Sequence, residues 1–336
     1  MYPIDRKRGR FSRVIRAAVM GSGSWGTALA VLLARNGIDV CLWGRDQLDL
    51  QALDSDRENR RYLPGIELPA GIKASAIPPT NSDFFVLAVP SSALRAVTEF
   101  IPDGSKVVIA AKGLEPGTAM RMSEVVLHMR PNSQVSVLSG PNLAVEIARG
   151  IPTATVVASM DPALADWVRE RFMSRAFRIY TSTDLVGVEL GGALKNVLAL
   201  GAGMSDGLGF GDNTKAALLA RGLREMSELG RTYGADPLTF MGLSGVGDLI
   251  ATAVSKLSRN YRVGSLLGSG VGLDFALSEI GQVAEGVPTS EAAVTLADRS
   301  NTDVPLMRAI YRVVKGECKP LEAVTELMER SPRTEN

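Results

Sequence analysis

Three stretches of the chain hold residue types that can do chemistry. Gly21-Ser22-Gly23-Ser24-Trp25-Gly26 spaces its glycines as G-x-G-x-x-G. That spacing suits a tight turn, a close approach of backbone to a pyrophosphate, and a helix packed hard on a strand. Helix-start N–H groups in such a turn attract phosphate. Lys195 lies in VELGGALKNVLA, where its helical face would hold Val188, Gly191, Ala199 and Ala202, with no carboxylate three or four residues away. Among small apolar residues an ammonium is desolvated, its pKa falls, and it becomes a usable general acid or base. A snorkelling lysine and an ion pair with a distant acid are the alternatives. Asp248, in GVGDL, follows a glycine turn at an expected helix start, and Ser258-Arg259-Asn260 comes shortly after. An arginine fork with a hydroxyl suits a phosphate monoester. A helix-start aspartate and a solvated loop are the plainer readings of these two segments.

Scarcity narrows the chemistry. The chain has one histidine, His128, and two cysteines, Cys41 and Cys318. That set builds no His/Cys zinc site, and no metal is called for. A histidine-assisted nucleophile would have to use His128, which reads as a helix packing residue. Two cysteines fit a reducing compartment and exclude a disulfide framework. With 37 basic and 36 acidic residues the net charge is +1, which excludes general nucleic-acid binding.

These residues need elements to position them. The glycine motif follows the short apolar run Ala17–Met20 and precedes a helical stretch, Thr27–Arg35, stopped by Asn36-Gly37. Val40–Trp43, Phe84–Val89, Val107–Ala111, Val135–Leu138, Thr153–Ala158 and Phe177–Tyr180 read as further strands. Gly117–Met129 and Asp161–Met173 read as helices, and Asn59–Pro69 as an aperiodic loop. The alternation implies a mostly parallel sheet covered by helices, a Rossmann arrangement. Lys112 and Gly140-Pro141-Asn142 then follow strands and point to one crevice at the carboxyl ends. After about residue 183 the β signal stops. Leu219, Leu223 and Met226 share one helical face opposite Arg221, Arg224 and Glu228, and prolines open helices near 288, 305 and 320. The fold class expected is α/β followed by all-α.

Residues 1–16 hold six basic residues against Asp5, which is +5 and leaves −4 on the rest. Residues 17–34 carry no charge, so the pair superficially resembles an export signal. Three glycines, two serines and a threonine interrupt that stretch, which favours strand–turn–helix over a membrane span. The basic segment reads as a solvated tail. Nineteen residues after Gly26, where an NAD-specific site usually carries an acid, stands Arg45, beside Asp46. An arginine there faces a 2′-phosphate, so NADP is expected to serve as well as NAD; a solvated loop arginine is the alternative.

With GSGSWGTALA, NRRYLPG, AAKGLE, SGPNLAVE, GVELGGALKNVLAL, GLSGVGDL, SRNYRVG and VAEGVPT, the chain resembles the bacterial NAD(P)-dependent glycerol-3-phosphate dehydrogenases over about residues 17–331. The resemblance implies a Rossmann domain over 17–182 and a helical substrate domain over 183–331. It implies interconversion of sn-glycerol 3-phosphate and dihydroxyacetone phosphate for phospholipid synthesis, in the cytoplasm, by a homodimer without stable membrane insertion. Lys195 corresponds to the catalytic lysine. Lys112, Gly140, Asn142, Asp248, Ser258, Arg259 and Asn260 correspond to substrate contacts, with Asn196 and Thr252 beside them. Gly21, Gly23 and Gly26 form the turn, and Ser24, Trp25, Arg45, Lys112, Ala144, Arg259, Val283 and Glu285 correspond to cofactor contacts. Asn142 stands where a hydroxyl residue is common, and Ala253 where cysteine often stands. Two rivals are a hydroxyacid or 6-phosphogluconate type of dehydrogenase, which also uses a lysine, and a dinucleotide sensor without catalysis. The Ser258-Arg259-Asn260 segment favours the phosphotriose.

Overall fold

The computed structural model describes residues 14–331. The basic segment up to residue 13 lies outside them. Arg16 belongs to the first strand rather than to a tail: its N–H donates to Asp83 Oδ2 at 2.8 Å and it pairs with Asp39.

The first half runs β1 (Arg16–Met20), α1 (Ser24–Arg35), β2 (Asp39–Trp43), α2 (Gln47–Asp56), β3 (Glu58–Asn59), β4 (Leu63–Glu67), β5 (Ile72–Ser75), β6 (Phe84–Leu87), α3 (Ser91–Thr98) and β7 (Lys106–Ile109). It continues with α4 (Met122–Met129), β8 (Gln134–Ser139), α5 (Ala144–Ala148), β9 (Thr153–Ala158), α6 (Pro162–Phe172) and β10 (Phe177–Ser182). Eight strands form one sheet in the order β10-β9-β8-β7-β6-β1-β2-β5. Neighbours are parallel except β8 and β9. From β1 the chain winds out to β5 at one edge, then returns to place β6 on the other side of β1. That reversal opens a crevice at the carboxyl end of β1, the usual ligand position in such sheets.

FFVL and KVVI form strands because both sheet faces are covered. Val19, Phe84, Val86 and Val108 enter one core, and Met20, Phe85, Leu87 and Ile109 enter the other.

Three local expectations change. The stretch Asn59–Pro69 holds a two-stranded ribbon, β3 with β4, rather than a loop. Only Leu63 and Ile66 of β4 reach the core, too few to set up a period. The helix expected from Gly117 starts at Met122, because Gly117 and Ala119 take positive φ. His128 is therefore not a packing residue. It is exposed in the last turn of α4, whose buried face is Met122, Ser123, Val125 and Val126.

The second half is helical throughout the described residues: α7 (Leu185–Gly207), α8 (Asp212–Thr232), α9 (Pro237–Phe240), a π-turn (Leu243–Gly247), α10 (Asp248–Ala253), α11 (Arg259–Gly268), α12 (Leu273–Ile280), α13 (Gly286–Arg299), α14 (Pro305–Val314) and α15 (Pro320–Met328). α7 is the axis of this half, and it is long and apolar enough to cross a bilayer. Here it is wrapped by other helices instead, with 94% of its apolar window buried. α11 lies against α7 backbone to backbone: a Cβ on Gly203 would sit 2.0 Å from Tyr261 O, and one on Gly264 2.0 Å from Leu200 O. This approach brings the start of α11, Ser258-Arg259-Asn260, level with the Lys195 turn.

Candidate active site

The glycine turn after β1 has the shape its spacing predicts. Gly21 has φ +123°, and a Cβ there would meet Ala88 O at 2.6 Å. Gly26 approaches so closely that a Cβ would lie 1.9 Å from Gly21 O. Gly23 is different: a Cβ there would meet nothing within 4 Å. It caps α1 without any side-chain hydrogen bond, so the N–H groups at the helix start face open space. The residues present therefore fit a dinucleotide pyrophosphate. Ser24 and Trp25 form the first turn of α1, and the Trp25 Nε1–H donates to Ala110 O at 3.0 Å. On the β2 side, Arg45 is exposed. The adjacent Asp46 carboxylate is engaged, accepting from Leu48 N and Asp49 N as the cap of α2. Arg45 thus stands just past β2 as an exposed cation beside a capping carboxylate.

At the other end of the crevice two lysines share one carboxylate. Lys195, buried in α7, donates to Asp248 Oδ1 at 2.9 Å and to Thr252 Oγ1 at 2.6 Å. Lys112, following β7, donates to Asp248 Oδ2 at 2.7 Å and to Gly140 O at 2.8 Å. Asp248 is the first residue of α10, yet its side chain serves the lysines, not the helix backbone. The π-turn before α10 seats against α7 at Gly191, where a Cβ would come within 2.8 Å of Ser244 O. Such turns insert a residue into the helix path and re-aim the turn after it. That turn begins with Asp248.

The electrostatics arise from burial. Desolvation lowers the Lys195 pKa to about 8; Asp248 resists that fall, while Lys112 and Arg259 add to it. Burial alone would raise the Asp248 carboxyl, but the Lys112 and Lys195 ammonium groups outweigh it and hold it below the usual carboxylate range. Burial thus brings Lys195 toward neutrality and the fixed Asp248 anion keeps it from falling further, as an acid/base group requires.

A second group lies beside the first. Asn260 is buried; its Nδ2 donates to Asn196 Oδ1 at 2.8 Å, and its Oδ1 accepts from Gly286 N at 2.9 Å. Ser258 caps α11, its hydroxyl accepting from Tyr261 N at 3.2 Å. So Ser258-Arg259-Asn260 is a helix start rather than a solvated loop. Arg259 is exposed, and desolvation on its inner side lowers its pKa against the opposing pull of Glu285. Asn142 donates to Thr155 Oγ1 at 2.9 Å, but its Oδ1 is buried without a partner, as is the Ser139 hydroxyl. Buried polar atoms without partners at a crevice are places where a ligand supplies the missing bond. Ala144 opens α5, Val283 is exposed just before Glu285, and both, with Arg45, lie outside the lysine network.

Two family descriptions match the chain: the N-terminus of NAD-dependent glycerol-3-phosphate dehydrogenase over residues 16–165, and its C-terminus over residues 184–325. The chain belongs to this family. The glycerol-3-phosphate dehydrogenase (NAD(P)+) of Thermoanaerobacter sp. strain X514 is 47% identical over 330 residues, covering 96% of this chain and 99% of that one. That of Moorella thermoacetica is 48% identical over 326 residues, covering 94% and 96%. The crystal structure of glycerol-3-phosphate dehydrogenase from Coxiella burnetii, 36% identical, superposes with a TM-score of 0.89 over 94% of this chain and 99% of that one. The family expected from the motifs is the family found, in both halves of the chain.

Sequence reasoning missed three supporting residues. Asn59 fixes the glycine turn, its Nδ2 donating to Ser22 O at 2.8 Å and Thr27 Oγ1 at 2.7 Å. Thr155 holds Asn142. Ser91 holds Glu285, its N–H donating at 3.0 Å and its hydroxyl at 2.6 Å. Only Ser91 carries a local signal, Pro90-Ser91 opening a helix after a strand.

Proposed function

We propose that the chain catalyses the NAD(P)+-linked interconversion of sn-glycerol 3-phosphate and dihydroxyacetone phosphate, with Lys195 as the acid/base. The observation that carries this reading is the Lys195 ammonium, buried at the foot of the crevice, bound to Asp248, and brought near neutrality. The family supplies the substrate class.

When bound, the nicotinamide accepts a hydride from C2 of the alcohol or returns one to the ketone. The glycine turn and the start of α1 would hold the pyrophosphate. Arg45 would hold a 2′-phosphate, while Ser24, Trp25, Ala144, Val283 and Glu285 line the rest of the cofactor path. In oxidation, neutral Lys195 takes the C2 hydroxyl proton. In reduction, its ammonium delivers a proton to the forming alkoxide and stabilises the charge building there. Asp248 fixes the lysine and sets its pKa, and Thr252 fills a second Lys195 hydrogen bond. Arg259 at the start of α11, helped by Asn260, binds the substrate phosphate, and Lys112, Gly140, Asn142 and Asn196 orient the triose. Binding energy from that remote phosphate positions C2 for transfer. The reading extends to a homodimeric enzyme of phospholipid synthesis in the cytoplasm.

Loss of NADH absorbance on adding dihydroxyacetone phosphate tests this reading. Steady loss that depends on both reactants is the expected result. Firm NADH binding with no loss against any phosphorylated ketone would favour a sensor.

A further inference from the structure

Two glutamates of the helical half reach across to helix starts of the sheet half, and each uses the same device. Glu189 of α7 accepts from Ser123 N at 2.8 Å and from Ser123 Oγ at the start of α4. Glu285, just before α13, accepts from Ser91 N and Ser91 Oγ at the start of α3. A carboxylate is stabilised at a helix N-terminus by the unpaired N–H groups and the dipole.

Their surroundings differ. Glu189 is buried and further paired with Arg121 at 3.0 Å, away from the lysines. Glu285 is half-buried in the crevice. Its Oε2 lies where a Cβ on Gly113 would come within 2.9 Å, and Gly113 follows Lys112. The Ser91–Glu285 tie therefore stands one residue from the Lys112–Asp248 tie. These are neighbouring polar links from the sheet half to the helical half at the site. Where Glu189 is bonded to a guanidinium, Glu285 is held by a serine, and the Arg259 charge acts on it from across the crevice.

Ser91 follows β6, on the side of β1 opposite Arg45. If the pyrophosphate rests at the glycine turn with the adenosine ribose toward β2, the nicotinamide end passes toward β6, β7 and Lys195. Glu285 lies along that path.

We propose that Ser91 is a positioning residue for the cofactor: its N–H and hydroxyl fix the Glu285 carboxylate where the nicotinamide half of NAD(P)H meets it. This rests on the dehydrogenase reading. Ser91 acts only through Glu285, and Ser123, holding Glu189 in the same way, serves stability alone.

The test is fluorescence titration of the full chain with NADH and NADPH, alongside thermal unfolding and steady-state kinetics. Ser91→Ala should raise the Kd of both cofactors about 3–10-fold, the scale of one ordinary hydrogen bond lost while the Ser91 N–H still holds the carboxylate. The cofactor KM should rise with it, while kcat and the dihydroxyacetone phosphate KM stay within about twofold. Ser91→Thr should restore the Kd. In a Glu285→Ala background, which leaves Ser91 no partner there, Ser91→Ala should cost no more than about twofold further. Ser123→Ala should lower Tm and leave the Kd unchanged. The proposal is overturned if Ser91→Ala binds cofactor like wild type, if Ser123→Ala weakens binding equally, or if the Ser91 and Glu285 effects simply add. Wild type binding neither cofactor would remove the dehydrogenase reading itself, and this proposal with it.

Discussion

Replacing Asp248 by asparagine isolates what the shared carboxylate does to Lys195. The wild-type ammonium lies 2.9 Å from Asp248 Oδ1, with Lys112 on the other oxygen. At an effective dielectric of ~20, that attraction is about 6 kcal/mol. Water entry and relaxation recover much of it, but even a quarter, about 1.4 kcal/mol, is one pKa unit. The sign is fixed. Asparagine cannot balance two ammonium groups, so neutral Lys195 is favoured and its pKa drops further below about 8. In wild type, kcat/KM for glycerol 3-phosphate oxidation should rise with pH through about 8, and kcat/KM for ketone reduction should fall through the same point. In Asp248→Asn both limbs should move down by at least about one unit. The assay is cofactor absorbance in both directions between pH 5.5 and roughly 10, spanning both limbs. Limbs that stay near 8, or move up, would refute the proton role given to Lys195.

The same geometry fixes four further outcomes. Lys195→Met should lower kcat by roughly 10²–10⁴-fold, the range for a positioned acid/base, and a change confined to KM would contradict that role. Arg259→Ala should cost at least about tenfold in kcat/KM for dihydroxyacetone phosphate and far less for dihydroxyacetone, since only the first carries the phosphate; equal losses would move Arg259 to the cofactor or the fold. Arg45→Asp should weaken NADPH much more than NADH in a binding titration, and equal weakening would remove the 2′-phosphate contact. Burial raises the Glu225 pKa to about 7, although its carboxylate accepts from Leu306 N and Met307 N at the start of α14. The folded state then holds this proton more tightly than the unfolded chain, so stability present below about pH 4.5 is lost as pH rises through about 7, by roughly 3 kcal/mol. Urea unfolding at both ends of that range should show the loss in wild type and a flatter profile in Glu225→Gln.

Legibility in the sequence tracked the distance over which each feature is built. The glycine turn was readable because strand, turn and helix are contiguous: Gly26 answers to Gly21 and Gly21 to the backbone just after β6, while Gly23 leaves space open. The unusual face of Lys195 was readable from its own helix. Its partner was not, since Asp248 arrives from 53 residues on, aimed by a π-turn that no period announces. The ion pair with a distant acid and the acid/base lysine, separate alternatives in the sequence, fit a single arrangement here. The β3–β4 ribbon was missed because two core residues make no pattern, and with it went Asn59, whose amide braces the glycine turn. The capping role of Ser258 was also not legible: its hydroxyl accepts from Tyr261 N at the start of α11 and keeps its own O–H to donate. Ser91 and Glu285 meet from 194 residues apart, a pairing only the fold brings about.

Hydride transfer to C2 of a phosphotriose at this crevice leaves an isotopic trace in the product. NADH carrying deuterium at both C4 positions, incubated with the enzyme and dihydroxyacetone phosphate, tests it most directly, read by mass spectrometry of the product. The expected product is sn-glycerol 3-phosphate one mass unit heavier, with the deuterium at C2, and almost none formed by Lys195→Met. Unlabelled product, or no glycerol 3-phosphate from a protein that binds NADH, would contradict it.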